Sequence, residues 1–265
     1  MRILVTFAVE AEFAPWRRRH AFVSVSMPTP IGLEPHFFYR GTAFEHDVDV
    51  LVTGIGWEGG TTTNRPWYVL RELQKNQPDL FISSGLAGGL RADLSCGDIV
   101  AAKEVSLRTG GDAFPSSTTL LALARDAGAR VDLKQITETH IVCEPSSKDE
   151  LSKFGDFVDM EGYHILQIMS GTRIPSISVR AISDTRDMDL PSEIGNVVNR
   201  DGRVQTIPLL KLIIKRPGRI RSLLNFGVQS RNAAISLADF LDRFLKTAGG
   251  SGWEAQAKRE AVGVR

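Results

Sequence analysis

Three carboxylates stand where an acid is costly to place. Glu161 lies in Val158-Asp159-Met160-Glu161-Gly162, and Asp184 ends Val179-Arg180-Ala181-Ile182-Ser183-Asp184. Each closes a short run of strand-forming residues. Glu12 follows a first such run, Arg2 to Val9. An acid at the mouth of an apolar strand is expensive to desolvate and is usually retained for work. Carboxylates can hold hydroxyl groups and move protons. Three at three strand ends predict a site built at the carboxyl edge of a sheet.

Two glycine-rich stretches accompany the acids. Val52-Thr53-Gly54-Ile55-Gly56 and Ser83-Ser84-Gly85-Leu86-Ala87-Gly88-Gly89-Leu90 each follow a strand-like run. Glycines there either let backbone amides approach a ligand or serve tight turns. No Gly-Lys-Ser/Thr follows, so neither is a P-loop, and neither sits in the setting of a dinucleotide fingerprint.

The elements that must position these residues alternate. Strands are predicted over Ile3–Val9, Phe37–Arg40, Val48–Thr53, Leu80–Ser83, Asp98–Val105 and Ile177–Ile182. Helices are predicted over Trp67–Gln74, Thr118–Ala127 (capped by Ser116 or Ser117) and Gly162–Met169. This alternation implies a layered α/β sheet. The final amphipathic helix is placed at about Ser230–Leu245, with Ala234, Leu237, Phe240, Leu241 and Phe244 inward. Gly249-Gly250-Ser251-Gly252 marks 248–265 as a flexible tail.

The 265 residues are 42% hydrophobic and 24% charged, with a net charge of +1. That balance gives no field to recruit nucleic acid. No apolar run is long enough to span a bilayer, and the N-terminal apolar stretch is too short for a signal peptide. Cys96 and Cys143 have no metal-ligand spacing and read as ordinary thiols of a cytoplasmic protein. No metal or organic cofactor is expected.

Together these blocks resemble the nucleoside phosphorylase superfamily, and within it the methylthioadenosine/S-adenosylhomocysteine nucleosidases. Ala8-Val9-Glu10-Ala11-Glu12 is similar to their Ala-Met-Glu-Glu-Glu, and Gly54-Ile55-Gly56 to their Gly-Ile-Gly turn. Pro78 to Leu90, then Gly97-Asp98-Ile99-Val100, resembles their Pro-Asp…Thr-Gly-Ser-Ala-Gly-Gly-Leu…Gly-Asp-Ile-Val. Met160-Glu161-Gly162 and Val179 to Asp184 resemble Met-Glu-Ala and Val-Arg-Ala-Ile-Ser-Asp. Asp201-Gly202-Arg203, Leu209-Leu210, Arg216-Pro217-Gly218 and Ser230-Arg231-Asn232-Ala233 resemble the C-terminal region of the hopanoid-associated phosphorylase branch.

The resemblance implies a three-layer fold, a mixed central sheet flanked by helices. It implies one domain over 1–247, with a helical insertion at 188–228 before the last helix. It also implies cleavage of the N-ribosidic bond of an adenine-type nucleoside or a nucleoside-modified lipid, by phosphorolysis or hydrolysis. Asp184 matches the acid that protonates the purine at N7. Glu161 and Met160 match the ribose-binding pair, and Glu12 the water-activating acid.

Gly54, Ser84, Gly85, Ala87, Gly88, Val142, Arg180 and Ser183 are the expected base and phosphate or water pocket. Arg180 either binds phosphate or forms a structural ion pair. Leu86 stands where those relatives carry serine, which weakens the familiar phosphate pose. The partners implied are a small nucleoside or an adenosylated lipid, with phosphate as a co-substrate if it is the acceptor, and a second copy of the chain. The basic, apolar stretch 209–226 suggests either peripheral membrane contact or packing on protein. A nucleoside-binding protein without catalysis, or a lipid-surface protein on the same scaffold, remains the alternative.

Overall fold

A computed structural model describes residues 1–25, 38–55, 65–190, 220–250 and 252–263. The strands are β1 (Arg2–Phe7), β2 (Val23–Ser24), β3 (Phe38–Ala43), β4 (His46–Val52), β5 (Leu80–Gly89), β6 (Ile99–Leu107), β7 (Phe114–Pro115), β8 (Arg130–Thr137), β9 (Phe157–Asp159) and β10 (Ser176–Asp184). The helices are α1 (Glu10–Arg17), α2 (Arg65–Lys75), α3 (Thr118–Asp126), α4 (Pro145–Leu151), α5 (Gly162–Ser170), α6 (Ile220–Gly250) and α7 (Glu254–Gly263). Gly56 and most of the 188–228 segment, including Lys211, Lys215 and Arg216, lie outside the described residues.

Side chains of period two sort the sheet into two apolar faces. Ile3, Val5 and Phe7 pack with Phe13 and Trp16 of α1, Leu120 of α3 and Leu237, Phe240 and Phe244 of α6. Leu4 and Phe81 turn the other way, onto Leu70 and Leu73 of α2 and Ile165 and Leu166 of α5. The three-layer arrangement implied by the resemblance is therefore the one observed.

Strand order is β10-β6-β8-β9-β5-β1-β4-β3-β2, with β7 beside β6. Because β10 also pairs with β5, the strands β5, β10, β6, β8 and β9 close into a ring. The length of β5 makes closure possible. Its first half, Leu80–Ser83, runs parallel to Ile3–Thr6 of β1, while Gly88 and Gly89 pair with Val158 and Phe157 of β9. Its other edge follows β10 from Phe81 to Gly88. The glycine stretch expected as a loop is thus strand as far as Gly89, a correction to the boundary at Ser83.

The expected flexible tail at 248–265 is also corrected. Helix α6 runs unbroken from Ile220 to Gly250, joining segments predicted as separate helices. One interior glycine, Gly227, costs a helix only about 1 kcal/mol, and packing overrides it. Trp253 then buries its ring and donates its indole N–H to the Ala248 carbonyl at 2.9 Å. In α7, Ala257 is buried and Glu260 reaches the start of α3. There its carboxylate accepts from the Ser117, Thr118 and Thr119 hydroxyls and from the Thr119 backbone N–H, at 2.6–3.2 Å. An anion at a helix N-terminus satisfies otherwise orphaned donors and meets the positive end of the dipole. Burial pushes the Glu260 carboxyl up, but these hydrogen bonds overcome it and pull the group down to about 2.

A depressed carboxyl stabilises the fold above its unfolded value and loses that contribution as pH falls through the folded one. Glu260→Ala should cost about 1–3 kcal/mol of unfolding free energy at neutral pH. The gap from wild type should narrow as pH falls from 4.5 towards 2. Urea titrations across that range check it; a gap independent of pH would contradict the assignment. A second expectation concerns Gly162, where a Cβ would lie 2.1 Å from Gln135 Nε2 and 2.8 Å from Asp159 Oδ2. Gln135 cannot swing away freely, since its Oε1 accepts from Ser178 Oγ at 2.6 Å. Gly162→Ala should therefore lose about 1–3 kcal/mol by thermal melting, the cost of overpacking a filled core.

Candidate active site

Glu12 is the third residue of α1, where a glutamate side chain can fold back onto the helix start. Its Oε2 accepts from the backbone N–H of Ala8 at 2.9 Å and of Val9 at 3.3 Å. Its Oε1 accepts from the Leu86 N–H at 3.1 Å, tying the end of β1 to β5. Close approach requires Gly85, where a Cβ would sit 3.3 Å from Oε2. Burial is the strongest influence on this carboxyl. It outweighs the three backbone donors and the nearby Arg180 charge, and holds the pKa above the ordinary glutamate value.

Asp184 is the last residue of β10, beyond an irregularity in its register with β5. It is buried, and Gly88 makes room for it: a Cβ there would be 3.0 Å from Asp184 Oδ2. Oδ1 accepts from the Ser183 hydroxyl at 2.8 Å. Oδ2 accepts from Lys148 Nζ at 2.6 Å. Lys148 lies on α4 and is wholly buried; its ammonium also donates to the carbonyls of Thr185 at 2.7 Å and Met188 at 3.2 Å.

Glu161 is the residue before α5 and is buried, with Met160 half-buried next to it. The strand beneath them is anchored from inside the ring. Arg180 donates to Asp159 Oδ2 at 2.6 and 3.1 Å, to the Ser83 carbonyl at 2.6 Å and to Ser83 Oγ at 3.1 Å. Asp159 also accepts from Thr137 Oγ1 and the Gly162 N–H.

One cavity of about 790 Å³ joins these pieces. Glu12, Glu161 and Asp184 all line it, as do Met160, Ser183, Ala87, Gly88 and Val142. Gly54, Ser84, Gly85 and Arg180 do not. Gly54 makes the turn after β4, with φ +86° and its N–H on the Ala8 carbonyl. Ser84 is buried in β5, and Gly85 backs Glu12 rather than the cavity. Arg180 takes the structural alternative, because its guanidinium is committed to Asp159 and Ser83. His140 borders the cavity but is exposed and follows β8, outside any strand.

Leu190, Leu223, Leu224 and Phe226 give the cavity apolar lining. Its cationic lining residues among those described are Arg18 and Arg231, both exposed. Sequence reasoning missed Lys148 altogether. Between Pro145 and Leu151 the run Ser146-Ser147-Lys148-Asp149-Glu150 is polar and reads as a solvated turn of helix. Only the partner 36 residues away explains a buried lysine there.

Comparison with known proteins agrees with this architecture. The family model described as "Phosphorylase superfamily" matches residues 2–207. The 5'-methylthioadenosine/S-adenosylhomocysteine nucleosidase of Shewanella halifaxensis is 26% identical over 237 residues, spanning 80% of this chain and 99% of its own. That of Aeromonas salmonicida is 26% identical over 242 residues, covering 81% of this chain and 100% of the relative. Among solved structures, native futalosine hydrolase of Helicobacter pylori aligns with a TM-score of 0.66 at 17% identity, over 93% of this chain and 97% of that one. The S-adenosylhomocysteine nucleosidase of Streptococcus pyogenes, in complex with 5-methylthiotubericidin, aligns with the same TM-score and identity over 93% and 96%. The chain belongs to the phosphorylase superfamily.

Proposed function

We propose that the protein cleaves the N-ribosidic bond of an adenine-type nucleoside, with water as the acceptor. The observation that carries this reading is the convergence of Glu12, Glu161 and Asp184 on one nucleoside-sized cavity. Cleavage builds positive charge on the sugar while the departing base needs a proton. Asp184 delivers that proton. Glu161 accepts hydrogen bonds from ribose hydroxyls and sets negative charge near the developing cation, stabilising the transition state above the ground state. Met160 packs against the sugar without competing for its hydroxyls.

Glu12 supports water over phosphate. Burial raises its proton affinity, which suits a general base, and three backbone donors fix its direction. A phosphate dianion beside the reacting carbon would instead face the carboxylates of Glu12 and Glu161. The described arginines lining the cavity are exposed, and Arg180 is already occupied. Among the described residues, charge-assisted donors of the kind that hold phosphate are not offered at that position. The apolar lining of Leu190, Leu223, Leu224 and Phe226 suits a hydrophobic 5′ substituent.

Incubation with adenosine, methylthioadenosine and an adenosylated lipid, each with and without phosphate, tests both parts. Adenine release without phosphate, and no ribose 1-phosphate, is expected. Phosphate-dependent release with ribose 1-phosphate would overturn the choice of acceptor; no release from any of the three would overturn the reading itself. Glu12→Gln and Asp184→Asn should each lower kcat by about 10²- to 10⁴-fold, the range for a positioned acid or base. The acid limb of kcat/KM should lie above the ordinary glutamate value of 4.5, because the base must be ionised and burial raises its pKa.

A further inference from the structure

A carboxylate has no proton to give, so the acid step of the proposed reaction needs a proton source at Asp184. The described residues offer one. Lys148 is wholly buried, and its nitrogen lies 2.6 Å from Asp184 Oδ2. It does not line the cavity, so it reaches a substrate only through Asp184. A protonated lysine is a donor alone. Its other two contacts are carbonyl oxygens, of Thr185 and Met188, which cannot take a proton from it. Among the described residues, Asp184 is the one ionisable partner hydrogen-bonded to it.

Other ionisable groups stand around the pair, and the Lys148 charge reaches Asp187 at a distance. Cys96 and Cys143 feel the charges of both Asp184 and Lys148, and burial, the larger influence, raises each thiol above its ordinary value. Asp187 and Asp189 follow β10, and Glu144 and Asp149 flank Lys148 in sequence; Asp149 is engaged by Arg186. Asp187 is held by the Thr185 hydroxyl. Moving a proton from nitrogen to oxygen turns an ion pair into a neutral pair, which a dry site tolerates better than a lone charge.

Resting on the reading above, we propose that Lys148 is the proton reservoir of the reaction, a positioning residue that acts on the base through Asp184. The N–C1′ bond breaks and its electron pair enters the purine ring. Lys148 passes a proton to Asp184, Asp184 passes it to the ring nitrogen, and Asp184 is a carboxylate again. Water adds to C1′ and gives its proton to Glu12. Lys148 ends neutral and Glu12 protonated, so one proton passing back through solvent restores both.

The test compares leaving groups. Adenine requires a proton to depart, whereas 4-nitrophenolate does not. Wild type, Lys148→Met and Lys148→Arg are assayed on the adenosine-type substrate and on 4-nitrophenyl riboside, with folding followed by circular dichroism. Arginine keeps the charge and the hydrogen bonds but does not surrender a proton. Both variants should lose about 100-fold or more on the nucleoside, while staying within about threefold of wild type on the nitrophenyl riboside.

Equal losses on both substrates would overturn the inference and leave the proposed function standing. So would full activity of Lys148→Arg on the nucleoside. Failure of both variants to fold would make Lys148 a structural ion only and overturn it too. A wild-type protein that cleaves neither substrate would remove the proposed function and this inference together.

Discussion

Arg180 turns inward, and that choice organises the rest of the site. Its guanidinium sits inside the strand ring with 2% exposure and links three strands: its own β10, β5 through Ser83, and β9 through Asp159. Those strands carry, respectively, Asp184, the glycines that back Glu12 and Asp184, and the approach to Glu161. A buried charge is tolerable only when paired and hydrogen-bonded. Asp159 meets that condition with Thr137 and the Gly162 N–H as well as Arg180. The register of the acids against one another therefore follows from one buried ion pair, and not from the loops that surround them.

Glycine in β5 is the second half of the same constraint. A strand weakens when it contains glycine, since entropy rises in the unfolded chain and no side chain packs. Here the loss is accepted at two positions because carboxylates occupy the space. Gly85 leaves room for Glu12 and Gly88 for Asp184. Glycines after a strand-like run look like a loop when periodicity is the only guide. Strand pairing with β9 and β10 decides otherwise, and such pairing is a long-range fact that local composition does not contain.

Much of the layered sheet was legible because its strands are short apolar runs with clear ends, as at Ile3–Val9 and Ile177–Ile182. Glu12, Glu161 and Asp184 stood out because each is an acid at such an end, and all three line the cavity. What escaped has a common physical character. Strand β8 mixes Arg130, Asp132 and Lys134 with apolar residues, because one face of its first half meets solvent. Helix α7 follows a Gly-Ser-Gly sequence, and its docking rests on Trp253 and a glutamate that caps a helix more than a hundred residues earlier. Lys148 sits in a polar run, and nothing local distinguishes it from a surface lysine. Arg180 showed the reverse problem. Its place beside the acid made it a phosphate ligand or a structural ion, and the carboxylate that decides lies on a different strand.

The distribution of charge around the cavity then bears on chemistry. Two carboxylates, Glu12 and Glu161, border the space where the sugar would lie, and the buried cations nearby are already neutralised: Arg180 by Asp159, Lys148 by Asp184. A low-dielectric hollow bordered by two carboxylates favours a cation within it, and in the proposed reaction the ribosyl group becomes one as the bond to the base lengthens. The same field opposes an incoming dianion and is indifferent to a neutral water molecule. Holding Glu12 through backbone amides fixes its position through neutral donors, while Arg180 acts on it only at a distance. In the proposed reaction the acceptor would be selected by what the described lining withholds as much as by what it offers.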